Sequence, residues 1–369
     1  MLMRDPQAVV GRRVEELDTP ALLVDLDAFE HNLALMARFF AGRPSHLRPH
    51  TKTHKCPAIA HRQLAAGARG VTCAKVGEAE ALAADGIDDI LIANQVVGPI
   101  KIARLIALAG RARLTVAVDD AANIAELDRA ARAAQVTLSV LVEVDIGMGR
   151  CGVQPGQAAL TLAQQVAGCR GLHLAGIMGY EGHLVFTLDP EERRTRVEQA
   201  LAPLLETKSL LERYGLPVET VSGGGTGTYD VTGSYPGMTE VQAGSYIFVD
   251  ARYRQVRPEF RPALTLLTMV ISRTQPGLLI TDAGLKALST EFGLPEVLGI
   301  PGAALKPLSE EHGKIALADP AACALRPGDK LQILPSHCCT TVNLHDVFYA
   351  VRGGLVEEVW PITGRGRCQ

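Results

Sequence analysis

The sequence predicts a (β/α)8 barrel followed by an all-β domain, and three observations carry that prediction. The chain has 369 residues, enough for a barrel of about 250 residues and a smaller second domain. Short β-branched runs alternate with Ala- and Leu-rich stretches over the first three-quarters, which is how a parallel sheet with crossover helices reads. From about residue 258 the texture changes to short strands punctuated by Gly and Pro.

In chain order, ALLVDL (21–26) reads as a strand and DAFEHNLALMARFF (27–40) as the helix after it. GVTCAK (70–75), DILIAN (89–94), RLTVAV (113–118), TLSVLVEVD (137–145) and LHLAGIMGY (172–180) are further strands, each leading toward a helical stretch. The helix at 190–214 is followed by VETVSGGG and TEVQAGSYIF. Eight strand–helix units without an antiparallel interruption fit a closed barrel better than an open dinucleotide-binding sheet. The barrel is predicted over 18–256, and the β-domain over 1–17 and 257–369. Its strands are ALTLLTMVISRT, GLLITDAG, KIALAD, DKLQILP and FYAVRGGLVEEVWPI.

Composition narrows the functional classes. Hydrophobic residues make up 47% and charged residues 21%, the balance of an ordinary globular chain. A net charge of −3 with no basic stripe gives no footing for nucleic acid. No apolar run approaches the roughly 18 residues of a membrane span, and the N-terminus has no apolar signal core. The expectation is a cytoplasmic protein with no membrane or nucleic-acid partner. The cysteines, at 56, 73, 151, 169, 323, 338, 339 and 368, are too sparse for a disulfide framework and are expected to be reduced.

Functional groups of a barrel gather where strands end and loops begin. LRPHTKTHK (47–55) offers Lys52 and Lys55 at such a point, and a partly desolvated lysine is a Schiff-base candidate. VEVDIGMGRCGV (142–153) pins Arg150 between glycines, where it can bond an anionic oxygen. VSGGGTGTYD (221–230) exposes backbone N–H groups of the kind that cradle phosphate. It is neither Walker A nor the dinucleotide fingerprint. EVQAGSYIF (240–248) adds a second small-residue turn, and the loops after the last two barrel strands often hold phosphate. In the β-domain, PSHCCTTVNLHD (335–346) places His337 and Cys339 two apart. Read as an extended segment, both point the same way and Cys338 points opposite, so imidazole and thiolate can share one metal.

Together these motifs resemble the D-threonine aldolase and D-serine dehydratase family of metal-activated pyridoxal-phosphate enzymes. The resemblance runs from LDTPALLVDLDA (17–28) to VWPITGRGR (359–367). It implies a PLP-binding (β/α)8 barrel with a C-terminal all-β domain, and usually a homodimer. Carried over residue by residue, it makes Lys52 the lysine that binds pyridoxal 5′-phosphate. Arg150 is then the arginine beside the cofactor's phenolic oxygen, and Tyr180 a tyrosine of its pocket. Gly224, Gly225 and Thr226, with Gly244 and Ser245, form the phosphate loops. His337 and Cys339 become the ligands of a divalent metal, with His54, His183 or metal-bound hydroxide as candidate bases.

Two positions refine this expectation. Alanine racemases carry an arginine where this chain has the neutral Gln242, a departure that points to chemistry at the β-carbon rather than racemisation. D-threonine aldolases usually have aspartate at the second metal position, whereas Cys339 follows the dehydratase pattern and favours zinc over manganese or magnesium. The expected activity is cleavage of a small β-hydroxy-D-amino acid to glycine and an aldehyde. The alternative is β-elimination, as in a D-serine or 3-hydroxy-D-aspartate dehydratase. A racemase and a non-catalytic pyridoxal-phosphate-binding protein rank below both, the second because such proteins are single barrels without a β-domain.

Overall fold

The computed structural model describes residues 6–369, so residues 1–5 of the predicted 1–17 segment lie outside the described residues. The chain divides into two units. One takes 36–52, 59–244 and 367–369; the other takes the described residues up to 35, then 53–58 and 245–366. The first strand, β1 (Ala21–Asp25), looks like a barrel strand in sequence but is not one. It joins the sheet of the β-rich unit, because its buried face pairs with strands from the C-terminal part of the chain.

The barrel begins at β2 (His46–Leu47) and continues through β3 (Val71–Cys73), β4 (Asp89–Gln95), β5 (Arg113–Val118) and β6 (Leu138–Glu143). It ends with β7 (Leu172–Met178), β8 (Thr220–Gly223) and β9 (Glu240–Val241). All neighbours pair in parallel, in the order β2-β9-β8-β7-β6-β5-β4-β3. The two ends of this sheet meet. His50 bridges Thr72 of β3 in parallel, and Thr72 N–H donates to the Pro49 carbonyl at 2.8 Å. The predicted closed eight-stranded barrel is therefore present, with its first strand at 46–47 instead of 21–26.

Strand alternation explains why these runs read as continuously apolar. Ile90, Ile92, Val116, Val118, Val140 and Val142 pack outward in the large core that includes the helices. The residues between them, Leu91, Ala117 and Leu141, join Met178 in a separate cluster inside the ring. Helices 121–133 and 190–213 are started by Asp120 and Asp189, whose carboxylates accept backbone N–H groups of the first turn. The seam of the ring is clamped by Arg48. Its Nε and Nη2 donate to Glu240 Oε1 at 3.0 and 2.8 Å, and Nη1 donates to Asp89 Oδ1 at 2.6 Å. Gly70, at φ +102°, lets the guanidinium through, since a Cβ there would lie 2.4 Å from Nη1.

The β-rich unit holds a nine-stranded sheet. After β1 come β10 (Leu264–Gln275), β11 (Leu278–Thr281), β12 (Glu296–Val297), β13 (Ala303–Leu305) and β14 (Gly313–Leu317). Then follow β15 (Lys330–Leu334), β16 (Val347–Arg352) and β17 (Leu355–Pro361). Every pairing is antiparallel except β1 with β16. Val14, Leu17, Ala21, Leu23, Leu267, Val356 and Val359 form one of its apolar clusters.

Candidate functional site

Lys52 lies two residues beyond the His50 bridge, at the C-terminal end of the first barrel strand. It is half-buried, and among the described residues its side chain makes no hydrogen bond or ion pair, which leaves the amine available as a nucleophile. Lys55 is different. It is buried, has φ +52°, and belongs to the other unit, where its carbonyl accepts the Gly364 N–H at 2.9 Å.

The Arg150 loop is built by hydrogen bonds from both ends. Asp145 and Val153 return to each other across it, Asp145 N–H donating to the Val153 carbonyl at 2.9 Å. Asp145 Oδ1 accepts Gly147 and Gly149 N–H at 3.0 and 3.1 Å, and Asp119 Oδ2 accepts Gly152 N–H at 2.9 Å. Gly152 has φ +99°, and a Cβ there would meet Asp145 N at 2.7 Å. On this loop Arg150 is exposed, its guanidinium carbon 5.7 Å from the centre of the Tyr180 ring. His183, also exposed, packs against the same loop: a Cβ on Gly147 would sit 3.0 Å from its Cε1.

Beneath the loop lies a carboxylate network that no motif announced. The Gln95 amide donates to Glu143 Oε2 at 2.5 Å and to Asp119 Oδ2 at 3.1 Å. Burial pushes the Glu143 carboxyl above its ordinary range, and the Asp119 and Asp145 charges add to this. The Gln95 hydrogen bond and the Arg150 charge act the other way but are outweighed.

The glycine turn after β8 is held from behind. Gly224, at φ +75°, donates its N–H to Glu181 Oε2 at 3.2 Å. Thr228 and Thr232 hydroxyls donate to Glu181 Oε1 at 2.6 and 2.5 Å, and Gly225 N–H donates to Thr228 Oγ1 at 3.2 Å. The Gly224 and Gly225 amides are thus used to build the turn. A Cβ on Gly225 would lie 3.2 Å from Tyr180 Oη, so the absence of a side chain keeps a cradle open beside that phenol. This cradle, with the unpaired Lys52 amine and Arg150, fits a phosphorylated aldehyde cofactor. Thr226 is buried in the turn. Gln242 donates from Nε2 to Ser222 Oγ at 2.9 Å, and Gly244 and Ser245 are buried, Ser245 falling in the β-rich unit.

The two residues predicted to bind metal, His337 and Cys339, belong to that second unit. The segment is not extended as predicted: Cys338–Val342 forms a short helix, and His337 precedes it in β conformation. The turn into the helix, rather than strand alternation, brings the Cys339 thiol into hydrogen bonding with the His337 ring, while Cys338 is fully buried. Asp250 Oδ2 accepts His337 Nδ1–H at 2.9 Å and Cys338 N–H at 3.2 Å. Its Oδ1 accepts Tyr253 N–H at 2.9 Å. Thr53 Oγ1 lies 3.4 Å from Cys339 Sγ, and the Phe292 ring lies 4.2 Å from the imidazole. Burial opposes charge on His337, but the Cys339 and Asp250 charges outweigh it and push its pKa up to about 10.

With Nδ1 fixed by a carboxylate, Nε2 and the thiolate form a nitrogen–sulfur donor pair of the type zinc takes. Among the described residues no group of three or more His, Cys, Asp or Glu side chains is placed to hold a metal ion, so the predicted site rests on the pair His337 and Cys339. His345, also weighed from sequence, donates to the Ala287 carbonyl at 2.8 Å, and Asp346 pairs with Arg365. Both are structural. His54 is buried, and its Nδ1 accepts Cys56 N–H at 3.1 Å. No described helix is long and apolar enough to cross a membrane.

Comparison with known proteins adds the following. Residues 24–252 match the alanine racemase N-terminal domain family, and residues 263–351 match a serine dehydratase domain. A D-threonine aldolase of Arthrobacter sp. is 41% identical over 98% of this chain and 96% of its own. A 3-hydroxy-D-aspartate aldolase of Paracoccus denitrificans (strain Pd 1222) is 39% identical over the same shares. The crystal structure of D-threonine aldolase from Filomicrobium marinum superposes with a TM-score of 0.95 at 43% identity, covering 98% of this chain and 99% of that one. A D-threo-3-hydroxyaspartate dehydratase with one cysteine replaced by alanine, in the metal-free form, gives 0.85 at 30% identity, covering 95% and 98%.

Proposed function

The chain belongs to the alanine racemase N-terminal domain family, in the group that adds a serine dehydratase domain, and we propose that it cleaves a small β-hydroxy-D-amino acid to glycine and an aldehyde. The observation that carries this reading is its likeness, over 98% of its length, to two aldolases at 41% and 39% identity. The fold family implies pyridoxal phosphate, and the lysine, arginine and glycine cradle of the barrel fit it.

When bound, pyridoxal phosphate supplies an electron sink for a bond broken at the substrate Cα. Lys52 would hold it through Nζ, and Arg150 would face its phenolic oxygen. Tyr180 and Gln242 would wall the pocket. Gly224, Gly225, Thr226, Gly244 and Ser245 would shape the phosphate end. His337 Nε2 and Cys339 Sγ would hold a divalent metal, which supplies Lewis acidity at the substrate β-hydroxyl. The thiolate selects zinc over manganese or magnesium.

Cleavage needs a base for the β-hydroxyl proton and a proton for Cα once the aldehyde has left. We assign the base to His183, which is exposed beside the Arg150 loop. The His54 ring accepts Cys56 N–H at Nδ1, so a neutral ring carries its proton on Nε2. Asp250 accepts the His337 proton on Nδ1, so the proton that leaves when a metal binds is the one on Nε2.

One observation favours a second reading. The His337 and Cys339 pair has the residue types expected of dehydratases, where aldolases usually carry aspartate at the second position, and a D-threo-3-hydroxyaspartate dehydratase shares this fold. In that case Lys52 would remove the Cα proton, and the β-hydroxyl would depart to give a 2-oxo acid and ammonia. The deciding experiment incubates the enzyme with D-threonine, pyridoxal phosphate and zinc or manganese, with and without chelator. Glycine and acetaldehyde, lost on chelation, are expected; 2-oxobutyrate and ammonia would overturn the aldolase reading.

A further inference from the structure

Glu181 is fully buried, and among the described residues no cation faces it. A buried carboxylate without a counter-charge is costly unless donors surround it. Its donors are Gly224 N–H and the Thr228 and Thr232 hydroxyls, and all three belong to the glycine turn and the short helix Tyr229–Thr232 that follows. A carboxylate only accepts, so it dictates where each hydroxyl hydrogen points. With its hydrogen committed to Glu181, the Thr228 oxygen turns a lone pair to Gly225 N–H. Two consecutive glycine amides are thereby fixed, one directly and one through a single hydroxyl. Glycine has more conformational freedom to lose than any other residue, so a turn of this composition holds its shape only if something outside it supplies the constraint.

We propose that Glu181 is a positioning residue for the cofactor's phosphate: it moulds the turn at 224–228 from behind, and the moulded turn receives the phosphate group. The inference rests on the pyridoxal-phosphate reading given above. Replacing Glu181 with glutamine keeps its size but brings two N–H donors against groups that are themselves donors. Either Gly224 loses its acceptor or the threonine hydroxyls must reverse, and a reversed Thr228 hydroxyl must send its hydrogen elsewhere and re-aim the oxygen that Gly225 N–H uses.

The test compares two probes that differ only in the phosphate. Apo-protein is dialysed to equilibrium against pyridoxal phosphate and, separately, against pyridoxal. Glu181→Gln is expected to weaken pyridoxal phosphate about tenfold, the size of one misplaced hydrogen bond, and to leave pyridoxal within about twofold. Thr228→Val is expected to do the same, and Thr228→Ser, which restores the hydroxyl, to return to the wild-type value. Thr228 provides this readout even where Glu181→Gln fails to fold. Equal weakening of both probes, or of neither, overturns the proposal. A wild-type protein that does not distinguish the two probes would refute the underlying phosphate assignment instead.

Discussion

The Asp250→Asn substitution is expected to lower affinity for the metal by about 10- to 100-fold, and the reason can be worked from the hydrogen bonds. Asp250 serves three donors with two oxygens: Tyr253 N–H on Oδ1, and His337 Nδ1–H with Cys338 N–H on Oδ2. Asparagine has one oxygen and one NH2. With its oxygen toward Tyr253, the amide donates to His337 Nδ1, which moves the imidazole proton to Nε2 and removes the metal's nitrogen ligand. With its oxygen toward His337, the amide faces the Tyr253 N–H, and two donors oppose each other in a fully buried site. Both arrangements act on a group that supports a ligand without being one, for which the usual loss is about 10- to 100-fold in metal affinity, or about 1.4–2.7 kcal/mol. Zinc titration in competition with a chromophoric chelator measures it directly, with melting of the metal-free protein as a fold control. Unchanged zinc affinity in a folded Asp250→Asn protein would refute the reasoning, because the tautomer would then be set elsewhere.

Two further outcomes follow from buried charge in the barrel. Arg48→Met strands the buried Glu240 carboxylate and should destabilise the protein by about 3–5 kcal/mol in urea unfolding, while adding Glu240→Leu should recover most of that loss; a double variant as unstable as the single one would speak against the clamp. Glu143 has a folded pKa above its ordinary value near 4.5. The unfolded chain therefore releases this proton first, and the residue's contribution to stability falls as pH rises from about 4.5 through the raised folded value. Glu143→Gln removes that penalty, since its carbonyl can still accept from Gln95. Its melting temperature should match wild type at pH 4 and exceed it increasingly toward neutrality, and a difference that stays flat or reverses sign would contradict the raised pKa.

The barrel was largely legible because its strands are buried on both faces, so runs such as 113–118 appear as uninterrupted β-branched segments in the sequence itself. Two failures have the same physical root. Ala21–Asp25 is equally apolar, and only its pairing partners, more than two hundred residues away, assign it to the other sheet. β2 is two residues long, too short for any periodicity to register. At the site, glycines, lysine, arginine and the His337 and Cys339 pair stood out because special backbone or side-chain chemistry leaves a local trace. Gln95, Asp119, Glu181 and Asp250 left none. Each is a single polar residue near the end of an element, and its role is set by partners tens of positions away in the chain, as Glu181's are by residues 43 to 51 positions distant.

Closing a ring of strands leaves one joint weaker than the rest. Here β2 is joined by two paired residues to β9 and by a single bridge to β3, whereas other neighbours in the ring share as many as six pairs. Breathing of the barrel should therefore start at this joint, where the fewest ladder hydrogen bonds must break. Lys52 stands immediately past β2, and the turn after β8 lies one strand away, beyond β9. A cofactor held by both, as proposed above, would tie β2 to β8 across the two ladders of two pairs each, and the empty protein is expected to exchange its amides soonest along that stretch.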